Sequence, residues 1–113
     1  MASLTLNLLQ GSVSFRYTPE AAQSLKQEID QLMQSLKTIA ATVAKGERAH
    51  KQPTMEYRYT GEVFLEVFCN PNIYPSPFAA KVMLTVRDDR IRLTTEAELP
   101  RLLEDLGQYL EQN

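Results

Sequence analysis

The sequence has little of what most active sites are built from. It holds one cysteine, Cys69, and one histidine, His50. A lone thiol forms no internal disulfide and excludes a zinc site assembled from several thiolates. A reducing setting, cytoplasmic or stromal, suits such a chain. The four glycines are scattered, which excludes a phosphate-cradling loop and a dinucleotide fingerprint. No run approaches the ~20 apolar residues that span a bilayer. The first nine residues alternate apolar with polar and carry no basic run, so neither a signal peptide nor membrane insertion is expected, while peripheral docking on a membrane complex stays open. Dense positive charge is also missing. Twelve basic residues face fourteen acidic ones, and the excess of basic residues before position 60 gives way to an acidic excess after it. Phosphate backbones demand more than that, which argues against nucleic acid.

What is present describes one α+β domain over residues 1–113, since 43% hydrophobic and 23% charged residues are ordinary globular values. Leu4, Leu6 and Leu8 alternate with polar residues, as do Val13, Phe15 and Tyr17. A turn centred on Gln10-Gly11 pairs Leu8 with Val13, Leu6 with Phe15 and Leu4 with Tyr17. Thr18-Pro19-Glu20 then opens a helix with a capping hydroxyl, a proline where its missing N–H costs nothing and an early acid. Ala22, Leu25, Ile29, Leu32, Leu36, Ile39 and Val43 follow at spacings of three and four, and Lys45-Gly46 closes it. That stripe packs on the domain's own sheet, with its far end overhanging.

Period two returns at Met55. Tyr57, Tyr59, Val63, Leu65, Val67 and Cys69 share one parity, and Glu56, Arg58, Glu62, Phe64, Glu66 and Phe68 the other. Gly61 marks a bulge or divides the run in two. Asp88-Asp89 as a turn pairs Val86 with Ile91, Leu84 with Leu93 and Arg87 with Arg90. Thr95-Glu96-Ala97-Glu98 has capping-box spacing ahead of a helical face of Leu99, Leu102, Leu103, Leu106, Tyr109 and Leu110. The expected architecture is a two-layer sandwich of order β-β-α-β-β-β-α, an antiparallel sheet with the long and C-terminal helices on one face.

No catalytic group stands out. His50 sits in the polar loop GERAHKQPT, where a metal site would find only carboxylates as partners. Cys69 has inward parity at a strand end with no basic neighbour to activate it. The carboxylate pairs Glu62/Glu66, Asp88/Asp89, Glu96/Glu98 and Glu104/Asp105 fall on polar strand faces, in a turn, at a helix start and on a helix exterior, all solvated. Catalysis, cofactor and metal are therefore not expected. A small enzyme using carboxylates remains the second alternative.

The segment Asn70-Pro-Asn-Ile-Tyr-Pro-Ser-Pro-Phe78 carries three prolines and three large apolar groups, Ile73, Tyr74 and Phe78, where a surface loop belongs. Stiff apolar groups lose little entropy on binding, which suits a contact loop; folding back as a lid over the core is the other reading. Phe64 and Phe68, on the open sheet face, extend this into a candidate protein-binding surface, and a homodimer is one form it takes.

The segments CNPNIYPSPFAAKV and RDDRIRLTTEAELPRLLEDLGQYLEQ resemble a small protein family of cyanobacteria and chloroplasts without assigned chemistry. The resemblance implies an accessory protein at the periphery of a photosynthetic, thylakoid-associated complex. A second similarity is one of element order, to double-stranded-RNA-binding domains. It makes Arg16, Lys45, Arg48, His50, Lys51 and Arg58 the nucleic-acid-binding candidates, although acids stand where those domains place lysines.

Overall fold

The computed structural model describes residues 2–113 as an α+β fold. Strands β1 (Ser3–Asn7) and β2 (Ser12–Arg16) form a hairpin that is a sheet of its own. Helix α1 (Pro19–Ala44) leads to a four-stranded antiparallel sheet of β3 (Met55–Thr60), β4 (Phe64–Cys69), β5 (Lys81–Arg87) and β6 (Arg92–Glu98), in that spatial order. The run from Met55 thus divides at residues 61–63, where a Cβ on Gly61 would collide with the Tyr59 phenol. Helix α2 (Leu99–Gln112) ends the chain, packing on β1, on α1 and on β6.

Helix α1 starts and stops as its sequence dictates. The Thr18 hydroxyl accepts from the Ala21 N–H at 3.1 Å. At the other end Gly46 has φ +77°, its N–H reaches the Val43 carbonyl at 2.9 Å, and the Glu47 N–H reaches that of Thr42 at 3.2 Å. These two bonds satisfy carbonyls the helix end would leave open, and they need the left-handed glycine. The stripe from Ala22 to Ile39 is buried, while Val43 is 58% exposed, so the last turn overhangs the core.

Both tight hairpins differ from the expected register by two residues. Leu4 pairs with Phe15 and Leu6 with Val13, because Leu9 and Gln10 form the turn and Gly11, at φ +90°, follows it. Similarly Val86 pairs with Leu93 and Arg87 with Arg92, because the Asp88 carboxylate accepts the N–H groups of Arg90 and Ile91 at 2.8 and 2.9 Å and so opens the turn instead of sitting at its tip. A two-residue shift leaves every side chain on its own face. The boundary after β6 also moves. Residues 95–98 continue the strand, with Ala97 buried opposite Val82, and the capping box gives way to a helix start at Leu99-Pro100. A proline in the first turn sets that start, since its N–H is not needed there.

The core lies between the helices and the sheet face carrying Tyr57, Leu65, Val67, Val82, Leu84 and Ala97. At its centre the hydroxyls of Tyr17 and Tyr57 share a hydrogen bond of 2.6 Å, and the Tyr109 hydroxyl donates to the Tyr17 carbonyl at 2.7 Å.

Candidate functional site

The loop after β4 is held at both ends. Pro71 and Pro77 are buried and each opens a short 3₁₀ turn, residues Pro71–Ile73 and Pro77–Ala79. The Asn70 side-chain oxygen accepts from the Asn72 backbone N–H at 3.0 Å. The Asn72 amide in turn pairs with Gln52 like a strand residue, accepting from its N–H and donating to its carbonyl, both at 2.8 Å. Loops 46–54 and 70–80 are thereby laced together. Tyr74 is half-buried against the core, and burial pushes its phenol up while a backbone hydrogen bond from Lys81 opposes the rise. Ile73 and Phe78 instead stand 68% and 85% exposed. Within one loop Pro71, Pro77 and Tyr74 close over the core, and Ile73 and Phe78 project from it.

A second apolar area lies on the open sheet face. Across the strands one row reads Thr60, Phe64, Arg87, Arg92; the next Arg58, Glu66, Thr85, Thr94; the third Glu56, Phe68, Met83, Glu96; Lys81 and Glu98 follow. Phe68 and Met83 are cross-strand neighbours, 38% and 44% exposed. The Arg87 guanidinium covers Phe64 at 4.3 Å from the ring centroid, a cation–π contact. Arg58 donates to Glu66 at 2.7 Å. The aromatic candidates thus fall in two places, Phe64 and Phe68 on the sheet and Ile73, Tyr74 and Phe78 on the loop. Met83 is the member sequence reasoning missed. Its signal was the alternation Lys81, Met83, Thr85, Arg87, which puts it on the polar parity.

Cys69 is buried, and desolvation pushes its thiol up to about 11. His50 is exposed at the edge of an open hollow of about 250 Å³, shared with Ile39, Ala49, Lys51, Asn70 and Asn72 and lined by no carboxylate. Among the described residues no three His, Cys, Asp or Glu side chains group to hold a metal ion.

Asp105 corrects one expectation. It is buried, not on the helix exterior, and accepts from the N–H and side-chain amide of Asn7 at 2.8 and 2.9 Å, with Arg101 at 3.5 Å. Both oxygens are occupied in clamping β1 to α2, so the group serves the fold.

The basic candidates do not share one surface. Arg58 is bonded to Glu66 on the open sheet face, and Arg16 meets Glu62 at 3.8 Å beside the β3–β4 turn. Lys45, Arg48, His50 and Lys51 lie on the loop preceding β3, at the other end of that strand, ~17 Å away by strand rise. Four strands, not three, separate the helices, so the double-stranded-RNA-binding order is not reproduced. Comparison with family models, with curated proteins and with solved structures finds no match to this chain.

Proposed function

We propose that this domain is a non-catalytic protein-binding or assembly module whose contact groups are Ile73 and Phe78. The observation that carries this is the near-complete exposure of Phe78 on a loop pinned by buried Pro71 and Pro77 and by the Asn72–Gln52 pair. Exposing such a side chain forgoes the ~1.5 to 3 kcal/mol that burial would contribute. A partner that covers it recovers that energy without having to order the loop first. The resemblance of the C-terminal segments to accessory proteins of cyanobacteria and chloroplasts supports a photosynthetic complex as the setting, met from the cytoplasmic or stromal side.

The test compares wild type with the double variant Ile73→Ser plus Phe78→Ser as baits in a native extract. Both substitutions are on exposed side chains, so melting should move by no more than about 1 kcal/mol of stability. The retained partner should be lost. Equal retention by the two baits would refute the proposal.

A further inference from the structure

The open sheet face has a charge pattern that fits its own copy. On the edge strand β3, Arg58 precedes the far end and Glu56 the near one; on the other edge, Arg92 stands at the end where Arg58 lies and Glu96 and Glu98 at the opposite end. Between them the two central strands carry Phe64, Phe68 and Met83 around Thr85, which is 6% exposed although it points outward, so the middle of the face is flush.

We infer that this face pairs with the same face of a second copy, about a two-fold axis running across the strands. Such an axis keeps each strand over its counterpart and reverses its direction. Arg92 then meets the other copy's Glu98, Arg58 its Glu56 and Met83 its Thr85, while Phe68 lies over its Glu66, whose charge Arg58 already neutralises at 2.7 Å. The same operation brings Arg87 opposite Lys81, a like-charge contact softened by the packing of Arg87 on Phe64. A self-complementary patch is what a closed, two-fold dimer requires.

Four strands at ~4.8 Å spacing and seven residues at ~3.3 Å give a face of roughly 19 by 23 Å. Two such faces bury roughly 900 Å², below the ~1,200 Å² at which stable specific interfaces begin, so the dimer is weak and in exchange with monomer. Its charged edges also make it salt-sensitive. The inference extends the binding-module reading to a second surface and stands or falls apart from the loop.

The experiment is sedimentation velocity of the full chain up to about 300 µM at low salt, where mass action favours a weak dimer. Wild type should shift with concentration toward twice the 12.9 kDa chain mass. Phe68→Ser with Met83→Ser should remain monomeric, with thermal melting confirming that each variant is folded. Arg92→Glu alone and Glu98→Arg alone should each weaken the dimer by about tenfold, one lost charge contact per side. The two together should restore it, because every new arginine faces a new glutamate. A wild type that stays monomeric throughout overturns the inference, as does a dimer indifferent to Phe68→Ser with Met83→Ser, or a charge-swapped pair that fails to recover. Ile73→Ser plus Phe78→Ser should leave dimerisation intact. Loss of the dimer with loop binding preserved defeats this inference alone, and the converse defeats only the loop assignment.

Discussion

Individual residues hold this domain together through contacts between distant parts of the chain. Tyr17 binds Tyr57, forty residues on, and receives a hydrogen bond from Tyr109, ninety-two residues on. Inward parity made Tyr17 legible as a core residue, but its partners depend on how hairpin, sheet and α2 meet, and no local pattern encodes that. Asp105 shows the same limit, since the surface position that its neighbour Glu104 suggests is overruled by Asn7 from the other end of the chain. Burial of these groups has a consequence for pH. Burial pushes the Cys69 thiol from its ordinary 9.0 up to about 11 in the folded chain, and desolvation raises the Tyr17 and Tyr57 phenols as well. The unfolded chain therefore loses protons first, and stability that is full below pH 9 declines as pH climbs through 11. The urea midpoint should be lower at pH 10.5 than at pH 8, with a smaller drop in Cys69→Ala; equal midpoints in wild type would contradict the buried placement.

At the level of elements, a strong local signal won wherever it stood alone. Helix α1 carries a cap, a proline, an unbroken stripe and a left-handed glycine, and its 26 residues follow. Where two signals competed, the structure chose the one with more partners. Residues 95–98 pair with Leu84 to Lys81 of β5, which outweighs a capping box. In the hairpins, the left-handed geometry of Gly11 and the Asp88 side-chain bonds place the turns one residue off centre, and period two preserves the faces. The overhang of α1 makes a prediction of its own. Leu36→Ala, in the buried part of the stripe, should cost ~2 to 5 kcal/mol, whereas Val43→Ala should cost less than ~0.5 kcal/mol. Chemical denaturation of the two variants measures the difference, and equal losses would mean that the last turn is covered.

The whole molecule is a sheet with one face spent on its core and the other left open, plus one loop that does not fold all its apolar groups back. Its layers were readable because alternation and helical periodicity each put apolar side chains on one side. The division into two sheets was not, since a hairpin that satisfies its own pairing says nothing about which element it lies against. Nor could spacing tell which apolar groups of the 70–78 loop fold back, because the outcome differs within one segment, Tyr74 going inward and Phe78 outward. The claim that Phe78 exists to touch another protein is the one most open to direct test. p-Benzoylphenylalanine in place of Phe78, irradiated in the native host, should give a discrete cross-linked adduct that is absent when the same group replaces Gln34 on the exposed side of α1. No adduct at position 78, or the same adducts at both positions, would contradict the account.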